Sequence, residues 1–155
     1  MVRKSLIMVA FNNCVLVPLV LLLIIYKDGG HVPHRSDVAS LPTTLDLITQ
    51  FTFSILVEDF VFFWVHKLLH TKYLYGHIHK LHHQYRVPVS IASEYTHPFE
   101  FLLGNVLAMA APMLILGEKV HMYTFVLWAL VRIGEGIDGH CGYDFPWSPY
   151  CVLPW

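Results

Sequence analysis

SLIMVAFNNCVLVPLVLLLIIY, residues 5–26, is a run of 22 positions without a charge. As a helix rising about 1.5 Å per residue it spans roughly 33 Å, enough to cross the hydrocarbon core of a bilayer. It follows the basic start MVRK, as a signal peptide would. It is longer than the apolar stretch of such a leader and shows no small-residue cleavage site, so we read it as a retained span. Asn12, Asn13 and Pro18 interrupt it, and polar groups at that depth need a neighbouring helix to satisfy them.

Outward from this span the chain alternates polar breaks with apolar runs. The connector KDGGHVPHRSDVASLP (27–42) is broken by glycine and proline. A second apolar run over about 44–65 contains Glu58 and Asp59. Two adjacent carboxyls inside a span are costly, so each is expected to find a partner in the bundle. A third run, 101–117, has 17 charge-free positions and meets Glu118 and Lys119 at a tight turn. A fourth, about 120–138, begins apolar and carries Arg132, Glu135 and Asp138 near its end. With MVRK in the cytosol, the second helix returns there near His66, and helices three and four dip in and come back near His140. The expected architecture is an all-α integral membrane bundle of about four transmembrane or membrane-embedded helices under a cytosolic histidine-rich cap. It is expected to be a single domain over 1–155, with the first span and connector occupying 1–57.

Composition agrees with a membrane chain. Hydrophobic residues make up 55% of the 155 positions and charged residues 14%, against about 25% charged in a soluble domain. Mean hydropathy is +0.53. A net charge of −1 leaves no basic stripe for nucleic acid. Three cysteines, Cys14, Cys141 and Cys151, make no even set and no CxxC pair, so no disulfide framework is expected.

The anomaly is histidine, with 11 residues against 10 Lys plus Arg. Six of them lie in the 18 residues from His66 to His83, where even scattering would put about one. His66 and His70 are four apart and share a helix face; His79, His82 and His83 repeat the pattern at three and four. HKLLH followed by HKLHH thus offers two sets of neutral nitrogen donors. HxxxH alone is common on amphipathic helices, whereas adjacent His-His pairs have few structural uses, and the two motifs together point to metal. Imidazole suits Fe, Zn, Cu and Ni, so spacing does not choose among them. His140, in DGHCGYD, is the candidate ligand from a distant segment. His31 and His34 read as solvated loop residues, His121 as interfacial, and His77 as out of phase with both motifs. His97, held extended before Pro98, is a candidate to orient a loop or line the substrate entrance. Asp59, Glu94 and Asp138 are candidates to fix the tautomer and direction of ligand imidazoles, or else ordinary helix-packing carboxylates.

From Glu58 onward the chain resembles the fatty acid hydroxylase and sterol desaturase superfamily of membrane non-haem iron enzymes, and within it the sterol C4-methyl oxidases. The match rests on Glu58-Asp59, HKLLH (66–70), HKLHH (79–83), EYTHPFE (94–100) and EGIDGHCGYDFP (135–146), spanning 58–155 in order. The two histidine boxes belong to the whole superfamily, and the later elements point to its sterol branch. The resemblance implies an endoplasmic-reticulum membrane enzyme holding two irons on the cytosolic side. It implies O2 as oxidant and electrons from NAD(P)H through cytochrome b5 and its reductase. Repeated turns on a sterol 4-methyl group would give alcohol, aldehyde and acid. His66, His70, His79, His82, His83 and His140 match family ligand positions, while at His77 relatives commonly have another residue.

The family continues past the GYD segment to a third box of the HHxxHH type, and this sequence reaches Trp155 before one. The expectation is therefore an incomplete sequence of a longer enzyme, with residues 1–155 not turning over alone. Other readings stay open. A fatty-acyl or sphingolipid hydroxylase or a sterol desaturase keeps the chemistry and changes the lipid. A His-rich metal transporter, a bis-His haem protein or a non-catalytic membrane subunit changes the class.

Overall fold

The computed structural model describes residues 1–31 and 35–148; His34, Cys151 and the rest of 149–155 lie outside the described residues. Four helices carry the chain: α1 (Val2–Lys27), α2 (Thr44–Leu69), α3 (Pro98–Lys119) and α4 (Met122–His140). There is no strand among the described residues, only an isolated bridge between Arg35 and His121.

Three helices, α1 to α3, are long and apolar enough to cross a membrane. The fourth differs from the three for a physical reason: Arg132, Glu135 and Asp138 lie along α4, and all three turn to an internal cavity. Each start has its own device. The Thr43 side chain accepts from the Asp46 amide while Asp46 reaches back to Thr43, closing a capping box on α2. His97 Nδ1 accepts the Phe99 N–H at 3.2 Å, and Pro98 occupies the first turn of α3, where its missing N–H costs nothing. His121 Nδ1 accepts the Tyr123 N–H at 3.0 Å, and its Nε2 lies 3.0 Å from the Asp37 carbonyl. The histidine read as interfacial is thus a buried cap that ties the first connector to α4.

The bundle has two ends. At one, Phe51, Met113, Val120 and Trp128 pack together, with Trp128 donating to the Met109 carbonyl at 3.3 Å. At the other, the segment between α2 and α3 folds into two short 3-10 turns, His79–Gln84 and Ser90–Ser93. This cap holds the first span. Ser5 Oγ lies 2.7 Å from Tyr85 Oη, and the buried Asn12 donates to the Thr96 carbonyl at 3.0 Å. The start of α1 therefore shares an end with the histidine segment, and the Asn12 amide N–H finds a partner there while its Oδ1 stays buried without one. Gly142 sits at φ +77°, and a Cβ there would come within 3.1 Å of Pro88, so the turn after α4 closes against the cap loop only as glycine.

Candidate metal centre

Four imidazoles converge at the cap end. His66 comes from the last turn of α2 and His70 caps its C-terminus, and His79 and His83 come from the 3-10 turn His79–Gln84. One ligand nitrogen from each lies within 4.8 Å of all the others. His70 Nε2 is 3.0 Å from His66 Nε2, and His79 Nε2 is 3.0 Å from His70 Nε2 and 2.9 Å from His83 Nε2. The two histidine motifs interleave, one pair from each, instead of forming two separate sets. His79–Gln84 takes 3-10 geometry, not the α-turn the spacing suggested, so residues three apart eclipse and His82 stacks on His79 with ring centroids 5.7 Å apart. On its other side His82 lies beside His140, with ring centroids 5.5 Å apart.

Three nitrogen–nitrogen contacts joining four Nε2 atoms make a poor hydrogen-bond set. His79 Nδ1 is already paired with Glu100 Oε1 at 2.7 Å, with one proton between them. When Nδ1 holds that proton, Nε2 has a lone pair, which one cation satisfies together with those of its neighbours. At a metal–nitrogen distance of about 2.0–2.1 Å, two ligands at right angles stand about 2.9 Å apart, the spacing found here. The donor set therefore fits a first-row transition ion.

Burial and the adjacent imidazoles hold His79 down to about 3, and burial with His140 and the other imidazoles holds His82 down to about 4. His83 is lowered too, by burial and then by His70. At neutral pH these are neutral donors, the form a metal takes. His140 Nδ1 donates to the Gly136 carbonyl at 2.8 Å, which leaves its Nε2 free. His82 Nδ1 is buried without a hydrogen-bond partner. All six expected ligands thus gather at one end, four in the cluster and two in the adjoining pair.

The other candidates fall in different places. Glu94 and Asp138 line the cavity beneath the histidines; burial raises Glu94, and Asp138 accepts from Ser148 at 2.9 Å. Asp59 is exposed on α2, and Glu58 is the buried member of that pair. Glu58 finds its partner in Arg132, which also pairs with Glu135. His97 is spent as a helix cap, and His31 and His77 are exposed. Sequence reasoning missed Glu100, the carboxylate on His79. Its signal was present as a lone acid at the head of a charge-free span. It missed Tyr75 as well, whose ring stacks on His70 at 5.7 Å.

The cavity measures about 830 Å³ and runs from His66, His82 and His140 along apolar side chains of α1, α3 and α4 towards Gly117 and Met122. That volume is at the scale of a site that engulfs one organic molecule.

The fatty acid hydroxylase family model matches residues 51–154. A very-long-chain aldehyde decarbonylase of Oryza sativa subsp. indica is 38% identical over 147 residues, covering 95% of this chain and 53% of the relative. Methylsterol monooxygenase 2-1 of Arabidopsis thaliana is 42% identical over 114 residues, covering 74% and 41%. Methylsterol monooxygenase 1-1 of the same plant is 38% identical over 132 residues, covering 85% and 43%. The chain spans about half the length of the curated relatives it matches. No solved structure matches it.

Proposed function

The chain belongs to the fatty acid hydroxylase family, and from that premise we propose that it is a membrane-bound non-haem di-iron oxygenase acting on the C4-methyl group of a sterol. In this reading O2 is the oxidant, and electrons arrive from NAD(P)H through cytochrome b5 and its reductase. The protein is a single membrane domain in the endoplasmic reticulum, its histidine end faces the cytosol, and its pathway is sterol biosynthesis. The observation that carries the reading is position: His66 of the four-imidazole cluster lines, together with His82 and His140, one end of a largely apolar cavity large enough for a lipid.

Iron held there supplies O2 activation and the oxidation of an unactivated C–H bond. His66, His70, His79 and His83 would hold it, and His82 and His140 would belong to a second iron site. Glu100 orients His79 through Nδ1. The walls of α1, α3 and α4 receive the lipid from the bilayer and keep water from the reacting carbon. Arg132 neutralises Glu58 and Glu135 in that wall.

The aldehyde decarbonylase relatives favour a second reading, in which a long-chain aldehyde occupies the same cavity. Microsomes from cells expressing the gene separate the two. A 4,4-dimethylsterol should be oxidised at C4 with O2 and NADPH, and a long-chain aldehyde should persist. Conversion of the aldehyde with the sterol untouched establishes the second reading and removes the first.

A further inference from the structure

Two helices of this molecule leave the α-helical hydrogen-bond pattern, and each does so at an asparagine on the cavity wall. α1 is π-helical over Asn12–Leu16 and α3 over Phe101–Leu107. Such turns are rare and concentrate at functional sites, because widening a helix sacrifices regular hydrogen bonding. In α1 the inward Asn12 is used on the Thr96 carbonyl, which leaves its neighbour Asn13 on the cavity side. Asn13 Nδ2 donates to Val9 O at 3.1 Å and to Glu94 Oε2 at 3.4 Å. From the other π-turn, the Asn105 amide donates to the same carboxyl. All three residues line the cavity, and Glu94 lies within electrostatic reach of His140. Beside Asn105, Gly104 leaves room, with no atom of another group within 4 Å of where a Cβ would stand.

Three elements thus bring three polar side chains to one point in a wall that is otherwise largely apolar. What they offer is set by counting. Both asparagines direct amide N–H groups at Glu94, and Asn13 also serves Val9. The unused capacity is mostly acceptor: the remaining lone pairs of the Glu94 carboxyl and the two amide oxygens. An acceptor-rich niche selects a donor. We propose that Glu94, Asn13 and Asn105 form the subsite for the hydroxyl group of a hydroxylated lipid, which donates its proton to Glu94. The carbons next to that hydroxyl then lie towards the His82–His140 pair. An aldehyde or a hydrocarbon has no proton to donate and leaves the niche's acceptors unpaired, which discriminates against it. The binding claim stands on the niche alone; only the fate of the neighbouring carbon rests on the oxygenase reading.

The test is equilibrium binding to the full chain, metal-free, in nanodiscs, so that no turnover intervenes. Cholesterol is compared with its 3-deoxy analogue, and hexadecanol with hexadecanal. The alcohol of each pair should bind at least about tenfold more tightly. The pair with the larger ratio tells whether the hydroxyl is read on a sterol or on a linear chain. Glu94→Leu and, separately, Asn105→Leu should bring that ratio to about one, while the thermal midpoint reports whether each variant folds. Equal binding of alcohol and partner by the wild-type protein overturns the proposal, and this result does not depend on any variant. Selective binding without oxidation by microsomes keeps the niche and removes the oxygenase reading. Oxidation with no selectivity keeps the oxygenase reading and removes the niche.

Discussion

Trp128 and His79 lie at opposite ends of the bundle, and each has 0% of its surface exposed. Their surroundings are opposite. Trp128 meets Phe51 edge-on at 5.7 Å and gives its one polar hydrogen to a carbonyl, so its own polar group is satisfied within the protein. His79 is surrounded by other imidazoles whose nitrogens stand 2.9–3.0 Å from its own. Equal burial therefore means different things. The tryptophan end is held by apolar packing, and the histidine end is an interior whose nitrogen lone pairs a cation would satisfy.

Breaking the histidine end should give the largest effect. His79→Ala removes the nitrogen shared by the cluster and the link to Glu100. Metal bound per protein, measured by elemental analysis, should drop by the ion that the tetrad holds while the helical circular dichroism stays. Unchanged metal content would sink the tetrad as the binding site. The matching change at the other end, Trp128→Ala, should do the reverse. It opens a cavity costing about 3–5 kcal/mol, read as a lower unfolding midpoint, with metal per folded protein unchanged.

A milder probe is Glu100→Gln, which keeps the size and loses the charge that holds the Nδ1 proton. Metal affinity should drop about 10–100-fold, the range for losing the carboxylate behind a ligand imidazole. Full retention in a competitive chelator titration would show that Glu100 serves only packing. Gly142→Ala tests the junction between α4 and the cap. Its positive φ and the contact with Pro88 predict a loss of about 1–2 kcal/mol in thermal or denaturant unfolding.

A last probe is pH. The unfolded chain protonates its histidines near 6.5, while the folded protein holds His79 down to about 3 and His82 down to about 4. Above pH 6.5 both states are neutral and these groups contribute nothing to the pH dependence. As pH falls below 6.5 the unfolded state takes up protons that the folded state refuses, so stability decreases until the folded values are reached. The metal-free protein should lose thermal stability steadily between pH 6.5 and 4, and His79→Ala should flatten that slope. A flat midpoint in the wild type over that window would contradict the neutral cluster.

The helices were largely legible because their signals are local. Charge-free runs end at Lys27, Glu118 and the glycines and prolines between, and these mark α1 and α3 to within a few residues. The same locality set the limit. HKLLH and HKLHH read as two sets because spacing describes only one helix at a time. Their interleaving depends on how residues 71–78 turn the chain back on itself, which no periodicity records. Asp59 and Glu58 are indistinguishable as adjacent acids. Arg132, 74 positions away, faces one of them and leaves the other to the outside.

By itself the sequence determined that the protein is a helical membrane bundle with a metal-seeking end, because hydrophobic length and imidazole density are properties of the chain. Only the tertiary structure decided which four imidazoles meet, that Glu100 stands behind His79, and that two asparagines in π-turns reach Glu94. Each of those depends on atoms far apart in sequence being brought within about 3.5 Å, the range in which hydrogen bonds act, and that proximity exists only once the helices have packed.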